Sequence, residues 1–287
     1  KRGVAKQPPA DLRWYLFGSN QFGGGVSNAH NGVMAYEHAY QGVEARKAYF
    51  FMGDAMVCMG SGIKAARTQE VRTSVNQCLA NGEVTYGLSG HTYRLTNNLS
   101  DKNIDWAYHD NVGYIFPQNE SVTLRKAKQT GAWRELEVTA SDKPVTKEIF
   151  SLWVSHGTTP QHEDYCYIIM PDKPLSYFTD KKFENEIKII VNSEQIQAIS
   201  NENKRQYAAV FYEPGEIRFA EDLVVAVNKK VIIYIEKKDK QYEIAVADPL
   251  YKEQSLQLSM NGEQINIVFP SGDYSGSSVI KHITEKH

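Results

Sequence analysis

The residues whose side chains could carry chemistry are scattered along the chain and form none of the common catalytic motifs. The sequence has no nucleophile elbow, phosphate-binding loop, zinc-protease helix or dinucleotide-binding glycine pattern. His30 and His38 flank one predicted strand, and His156 and His162 flank a predicted loop. The second pair could bind zinc, but a structural zinc site needs about four ligands and no suitably spaced Cys or His completes it. We therefore expect surface or loop histidines, no metal site and no cofactor. Bound calcium stays an open alternative that no motif supports.

Two polar residues near the start of the chain are candidate site residues. Glu37 lies in the predicted strand 32–40 among aromatic neighbours. It could lie on the solvated face of an outer strand, which its spacing favours, or at a cleft where it would orient an arginine or a sugar hydroxyl. Asn28 shares a glycine-rich loop region with Asn20 and Asn31. Asparagine suits tight turns, although its amide can also donate to a carboxylate.

These candidates precede the most apolar stretch of the chain, residues 43–63. Residues 48–52 and 55–59 are continuous apolar runs that only Gly53 and Asp54 separate. A two-residue Gly-X link suits a type II′ turn between antiparallel strands. Apolar runs without alternation are typical of strands covered on both faces. The stretch therefore predicts a hairpin at the centre of layered sheets.

Short strands are predicted along most of the remaining chain. They cover residues 32–40, 73–77, 84–86, 112–116, 121–124, 135–139, 150–155, 165–170, 187–191, 195–199, 207–212, 216–219, 223–227, 231–235, 243–246, 255–259 and 264–269. Strands at this spacing, with few helical patterns, indicate antiparallel sandwiches. Two prolines and many charges mark residues 171–186 as a boundary. The predicted division is a connector (1–20), a central β-domain (21–172), a linker (173–186) and a C-terminal β-sandwich (187–287).

The composition excludes several classes of protein. Of 287 residues, 41% are hydrophobic and 23% charged, which argues against disorder. A formal net charge of -2 and the lack of a basic run argue against nucleic acid as a partner. No apolar run reaches the roughly 18 residues of a membrane span. The three cysteines are interpreted as free thiols, with one disulfide as the alternative. Trp153 is interpreted as a core residue.

Several ordered blocks of sequence resemble a known family. The blocks are V-S-N-A-H-N-G-V-M-A-Y-E-H-A-Y (26–40), V-E-A-R-K-A-Y-F-F (43–51), V-C-M-G-S-G-I (57–63), T-S-V-N-Q (73–77), H-D-N-V-G-Y-I-F-P (109–117), L-W-V-S-H-G (152–157) and A-D-P-L (247–250). Together they resemble polysaccharide lyase family 8, which includes chondroitin AC, hyaluronate and xanthan lyases. The resemblance covers nearly all of the chain and is less specific for the substrate.

The resemblance implies an all-β fold, in which an antiparallel, galactose-mutarotase-like β super-sandwich precedes a smaller C-terminal β-sandwich. In such lyases a helical α/α toroid comes first, and this chain is similar only to the β portions. From the start at Lys1, without an initiator Met, we expect that an upstream part has been removed. The implied reaction is β-elimination on a uronic-acid-containing polysaccharide. In that reaction an Asn and arginines neutralise the uronate carboxylate, while a Tyr assisted by a His moves the protons. These residues belong mainly to the toroid.

For this chain, the resemblance therefore implies a supporting catalytic role at most. It assigns Glu37 to a glutamate that faces the cleft and organises a catalytic arginine and tyrosine, and it makes Asn28 a weaker candidate for substrate contact. The implied partners are an anionic polysaccharide and the protein's own N-terminal helical domain, in a secreted or periplasmic enzyme. The alternative is a non-catalytic carbohydrate-binding or structural β module.

Overall fold

The computed structural model describes residues 20–66 and 68–285, and nearly all regular structure in them is β. The first strands are β1 (Gly23–Ser27), β2 (Gly32–Tyr40), β3 (Val43–Met52), β4 (Ala55–Ala65), β5 (Arg72–Leu79), β6 (Val84–Leu88), β7 (His91–Arg94), β8 (Leu99–Lys102), β9 (Trp106–His109), β10 (Val112–Ile115), β11 (Val122–Gly131), β12 (Val145–Ser155) and β13 (Glu163–Pro171). A short helix, α1 (Leu175–Thr179), follows. The predicted connector 1–20 lies, except for Asn20, outside the described residues.

The later strands are β14 (Lys188–Asn192), β15 (Ile196–Asn201), β16 (Gln206–Phe211), β17 (Gly215–Ala220), β18 (Leu223–Val227), β19 (Val231–Lys238), β20 (Gln241–Ala247), β21 (Ser255–Met260), β22 (Glu263–Val268) and β23 (Val279–Thr284). Single 3-10 turns occur at Trp133–Glu135, Glu202–Lys204 and Gly272–Tyr274. No helix in the described part of the chain has the length and apolar character needed to cross a membrane.

The strands form four antiparallel sheets, and no sheet mixes strands from before and after α1. Sheet 1 has nine strands in the order β1-β2-β3-β4-β13-β10-β9-β6-β7, and sheet 2 has four in the order β5-β12-β11-β8. Sheet 3 has the order β14-β15-β16-β19-β20-β23, and sheet 4 the order β17-β18-β21-β22. The first two sheets form the central domain and the last two the C-terminal domain.

Three apolar clusters hold the sheets together as consecutive layers. One face of sheet 1 packs on sheet 2, and Cys58 of β4 and Phe150 of β12 belong to the same cluster. The other face packs on sheet 3 in a cluster that contains both Phe50 and Val210. Sheet 3 packs in turn on sheet 4. Because β3 and β4 contribute to the clusters on both faces of sheet 1, the predicted central hairpin has the two-sided burial that its sequence indicates.

The hairpin turn and strand β2 agree with the sequence prediction. Met52 pairs with Ala55 across the turn, and Gly53 has φ +58°, as the first central residue of a type II′ turn requires. Strand β2 covers the predicted residues 32–40. These elements were predictable because their signals are local.

The predicted linker 173–186 is an ordered, packed segment. Phe178, in α1, is fully buried, and its ring lies 5.9 Å from that of Trp106 and 5.5 Å from that of Tyr108, centroid to centroid. Gly113 makes room for it, since a Cβ there would lie 1.8 Å from the Phe178 ring. The prolines and charges of the segment gave no sign of this anchor.

Two predictions about the central domain are wrong. Residues 135–139 form turns rather than a strand, because they belong to the loop between β11 and β12, where Leu136 and Val138 are exposed to solvent. Trp153 is only partly buried, and the central carbon of the Arg72 guanidinium lies 4.6 Å from the centroid of its ring. The thiol prediction is confirmed, since Cys58, Cys78 and Cys166 are all unpaired.

Candidate functional site

Glu37 lies opposite Arg46 in the β2–β3 pair and forms an ion pair with it. The two residues are register partners, so their side chains project from the same face of sheet 1. Arg46 Nε donates to Glu37 Oε1 at 3.4 Å, and both side chains are about three quarters buried. The carboxylate therefore orients an arginine, although that arginine belongs to this chain.

The Arg46 guanidinium also contacts the C-terminal domain. Its Nη1 donates to the backbone carbonyl of Glu194, and its Nη2 lies 3.8 Å from Glu213 Oε1. Its central carbon lies 5.2 Å from the ring centroid of Tyr212, within cation–π range. The pair of Glu37 and Arg46 therefore lies at the junction of the two domains.

Asn28 lies in the turn between β1 and β2, where it also contacts the C-terminal domain. Its Oδ1 accepts from the backbone N–H of Asn31 at 2.9 Å, which closes an Asx-type turn. Its Nδ2 donates to Glu236 Oε2 at 3.1 Å and to Glu243 Oε1 at 2.8 Å. These two glutamates are register partners on β19 and β20. The amide lies between two carboxylates, and both of its N–H groups are engaged.

The structure does not bring the two candidate residues together. Glu37 lies five residue steps along β2 from Gly32, roughly 17 Å at about 3.3 Å per residue. Asn28 precedes Gly32 in the turn at the far end of the strand. The two residues therefore contact different parts of the C-terminal domain rather than one site.

The candidate histidine pair is also split. His156 is buried, and its Nε2 lies 2.8 Å from Thr73 Oγ1. Burial lowers the pKa of His156 to about 4, so it is neutral at pH 7. His162 is exposed and its Nδ1 lies 2.8 Å from Glu194 Oε1. Among the residues that the structure describes, no group of three or more His, Cys, Asp or Glu could hold a metal ion.

Sequence reasoning missed a row of aromatic and basic side chains on the other face of β2 and β3. Tyr36 and Tyr49 stack with their ring centroids 6.4 Å apart. Lys47, the register partner of Tyr36, has its pKa lowered by burial. The signal was the alternation of β2, in which every second residue from 34 to 40 is Met, Tyr, His or Tyr.

Comparison with known families identifies the fold. Residues 4–182 match the polysaccharide lyase family 8 super-sandwich domain, and residues 188–257 match the family's C-terminal beta-sandwich domain. The first match alone covers more than half of the chain. The chain belongs to polysaccharide lyase family 8. The family and the all-β fold that the sequence predicts are thereby confirmed.

Curated proteins similar to this family 8 chain are lyases. Chondroitinase-AC of Pedobacter heparinus is 31% identical over 94% of this chain, which corresponds to 39% of that protein. Hyaluronate lyase of Thermasporomyces composti is 24% identical over 82% of this chain and 30% of its own length. Xanthan lyase of Bacillus sp. is 24% identical over 72% of this chain and 23% of its own length. The chain thus spans about two fifths or less of the length of these relatives.

Solved structures show the same fold. A chondroitinase AC lyase studied in complex with oligosaccharides superimposes with a TM-score of 0.85 at 29% identity, over 92% of this chain and 40% of that one. A Paenibacillus xanthan lyase superimposes with a TM-score of 0.81 at 19% identity, over 93% of this chain and 29% of that one. The second likeness bears on the fold alone.

Proposed function

We propose that this family 8 chain is the β portion of a lyase that cleaves uronic-acid-containing glycosaminoglycans, chondroitin sulfate or hyaluronan, by β-elimination. The observation that carries the proposal is the 31% identity with Chondroitinase-AC over 94% of the chain. Because the chain spans 39% of that relative, the reaction belongs to the whole protein. The β portion would wall the substrate cleft.

The chemistry of β-elimination explains why the main catalytic groups would lie elsewhere. Removal of the C5 proton of the uronate requires neutralisation of the adjacent carboxylate, a base for the proton and an acid for the departing oxygen. The resemblance implies that an Asn, arginines, a Tyr and a His of a helical domain supply these groups. His156, one of the buried histidines of this chain, is held against Thr73 inside the central domain.

Glu37 would act as a positioning residue. A carboxylate that holds a guanidinium fixes its direction as well as its charge, and such pre-organisation lowers the cost of reaching the transition state. Glu37 already makes this interaction with Arg46. About a quarter of the side chain of each residue remains exposed, which leaves room for contact with a neighbouring helical domain.

Asn28 is the weaker candidate for contact with the polysaccharide. Its two amide protons are engaged by Glu236 and Glu243, so a sugar or uronate oxygen would have to replace one of these acceptors. A substrate carboxylate would also approach two acidic groups, which disfavours it electrostatically. This role therefore requires a rearrangement of the turn.

The proposed partners are an anionic polysaccharide and a helical domain of the same protein. Because glycosaminoglycans are large extracellular polymers, we propose that the enzyme is secreted or periplasmic. The test is the ultraviolet absorbance of unsaturated uronate when the full-length protein is mixed with chondroitin sulfate or hyaluronan. An increase in this absorbance over time with either polymer supports the proposal. Binding without product would favour the non-catalytic carbohydrate-binding module instead.

A further inference from the structure

The face of sheet 2 that points away from sheet 1 is formed mainly by polar, basic and aromatic side chains. On β12, Phe150, Leu152 and Val154 belong to the cluster between the two sheets, so the residues that alternate with them point outward. Their register partners on β11 and β5 point the same way. We call this the outer face and define it by thirteen residues, which are Arg72, Ser74, Gln77 and Leu79 on β5, Thr123, Arg125, Ala127 and Gln129 on β11, and Lys147, Ile149, Ser151, Trp153 and Ser155 on β12.

The charge of the outer face has one sign. Three of its residues are Arg or Lys and none is Asp or Glu, whereas the whole chain has 32 Lys and Arg against 34 Asp and Glu. Arg125 and Lys147 are exposed and form no ion pair with any described residue. Arg72 forms an ion pair with Glu70, at the margin of the face. A patch of one sign attracts ligands of the opposite sign, so the outer face favours an anion.

The three cations follow the length of β12. Arg72 is the register partner of Ser155, and Arg125 is the register partner of Ser151. Lys147 lies on β12 itself, four residues before Ser151. Each interval of four strand residues is roughly 13 Å long. Cations repeated at this interval can contact an extended polyanion at three points, whereas a small anion would reach only one of them.

The neutral polar side chains of the outer face add hydrogen-bonding groups. Ser74 and Gln77 are exposed, and their side chains form no hydrogen bond with another described residue. A hydroxyl and an amide both donate and accept, as the hydroxyl groups of a sugar require. The Arg72 guanidinium lies beside the Trp153 ring, with its central carbon 4.6 Å from the ring centroid. This contact and the ion pair with Glu70 hold the guanidinium in place.

The β11–β12 hairpin carries this surface beyond the edge of the sandwich. Strand β5 pairs with β12 only over residues 149–155, whereas β11 and β12 remain paired as far as Gly131 and Val145. Beyond them, Trp133 is 62% exposed. A large flat ring left in water is typical of a binding surface, and a sugar ring can stack on it. Residues 122–155 contain six Lys and Arg against four Asp and Glu, so the hairpin shares the basic character of the outer face.

We propose that the outer face and the tip of the β11–β12 hairpin together bind an anionic polysaccharide. Its carboxylates, and its sulfates where it carries them, contact the cations of the outer face, and one of its sugar rings stacks on Trp133. A guanidinium suits this role, since it can donate two parallel hydrogen bonds to a carboxylate. The proposal rests on the proposed function for the identity of the polymer, chondroitin sulfate or hyaluronan, and for that identity alone.

Other occupants explain less of the surface. A protein partner could cover the apolar side chains of the hairpin tip, where Leu136 and Val138 are 76% and 73% exposed. It would not account for a row of cations on a face without carboxylates. A small anion would need only one of these cations. An anionic chain of sugars uses the cations, the hydrogen-bonding side chains and the exposed indole together.

The first test is electrophoresis of the full-length protein through gels that contain chondroitin sulfate, in the cold to limit cleavage. The double variant Arg125→Ala/Lys147→Ala removes both unpaired cations. We expect its apparent Kd to rise roughly three-fold or more, the scale of two exposed ion pairs. The matched control, Arg218→Ala/Lys281→Ala, removes the same two charges from exposed positions of the C-terminal domain and should bind like the parent. Gels with dextran, a neutral polysaccharide, correct for changes in mobility.

Kinetics separates binding from turnover. Retardation in the gel needs no turnover, so it decides the proposal even if the protein cleaves no glycosaminoglycan, which would refute the proposed function alone. In the active enzyme we expect Trp133→Ala to raise KM for the polymer without changing kcat, because the loss is in binding. Tyr274→Ala, which removes a side chain that is 72% exposed, is its control and should change neither constant.

Three results would overturn the proposal. The first is retardation of Arg125→Ala/Lys147→Ala equal to that of the parent; if the same variant also had a lower melting temperature, a protein segment would be the occupant of the outer face. The second is an equal loss of retardation in Arg218→Ala/Lys281→Ala, because total charge would then explain the binding. The third is a parent-like KM in Trp133→Ala, which would exclude the hairpin tip from the surface.

Discussion

Glu37 and Arg46 form an ion pair across neighbouring strands, with 3.4 Å between Oε1 and Nε, at the point where the central and C-terminal domains meet. The same Arg46 guanidinium also donates a hydrogen bond to the backbone carbonyl of Glu194. One arginine therefore links a carboxylate of sheet 1 to the backbone of the C-terminal domain. Whatever Glu37 contributes to catalysis, it contributes beside a structural junction.

The catalytic role of Glu37 is tested in the full-length lyase. If Glu37 positions a catalytic arginine, Glu37→Ala should lower kcat by about ten-fold or more with a smaller change in KM, since misplacement of a reacting group acts on the transition state. Glu37→Gln, which keeps an acceptor oxygen, should recover part of the loss. An unchanged kcat in Glu37→Ala would leave Glu37 with only its structural ion pair to Arg46.

Arg46 should matter more for stability than Glu37. Arg46→Ala removes the bond to Glu194 and leaves Glu37 without a partner, at a cost of about 1–3 kcal/mol. Glu37→Ala should cost less than about 1 kcal/mol, because Arg46 keeps its other contacts. Urea unfolding of this chain measures both, with the exposed Arg125→Ala as control. Equal losses in Arg46→Ala and Arg125→Ala would refute the junction role.

Asn28 should stabilise the contact between domains through its amide. Asn28→Ala removes two hydrogen bonds to Glu236 and Glu243 and should cost about 1–3 kcal/mol of unfolding free energy. Asn28→Asp should cost more at pH 7, because it places a third carboxylate there, and the excess should shrink on acidification. Asn81→Ala, on an exposed asparagine with a single side-chain bond, is the control and should cost less than about 0.5 kcal/mol. A loss in Asn28→Ala no greater than in the control would contradict this role.

Glu120 should make stability depend on pH. It is 7% exposed and accepts from the Cys166 N–H at 2.6 Å, and burial raises its pKa to about 7. Between these two pKa values the folded state keeps a proton that the unfolded state releases. The contribution of Glu120 to the free energy of unfolding is therefore fully present below about pH 4.5 and is lost as the pH rises through about 7. The loss is of the order of 3 kcal/mol.

The measurement is chemical unfolding of Glu120→Gln at pH 4.5 and pH 8. The variant should be more stable than the parent at pH 8 and similar at pH 4.5, because an amide keeps the acceptor and cannot ionise. The exposed Glu216→Gln should match the parent at both values. The same pH dependence in Glu120→Gln as in the parent would show that another group is responsible.

Phe178 should anchor the segment between the domains. Phe178→Ala deletes a fully buried ring and should cost about 3–5 kcal/mol. Gly113→Ala should also destabilise, since its Cβ would lie 1.8 Å from the ring. Thermal unfolding compares both with Tyr274→Ala, which removes a side chain that is 72% exposed. Near-parent stability of Phe178→Ala would mean that the segment is only a tether.

The sequence predicts those features whose signals are local. The bounds of β2, the hairpin turn at Gly53 and the many short strands follow from alternation, apolar runs and turn residues. The family follows from ordered blocks that span both domains. The free state of the cysteines follows from their number and spacing.

The features that the sequence does not predict depend on contacts between distant residues. Asn28 binds Glu236, which is 208 positions away, and Arg46 binds the carbonyl of Glu194. No local pattern distinguishes such an asparagine from one that only forms a turn. Trp153 has a core-like sequence context, but it lies on the face of β12 that Arg72 covers. Phe178 lies in a segment whose composition indicates a solvated linker.

The most direct test of the central claim measures unsaturated uronate in three mixtures with chondroitin sulfate or hyaluronan: this chain alone, the separately prepared helical domain alone, and the two together. The account predicts no ultraviolet signal from this chain alone and a signal when both are present. A signal from this chain alone would contradict the account, because the catalytic residues would then lie among its own side chains.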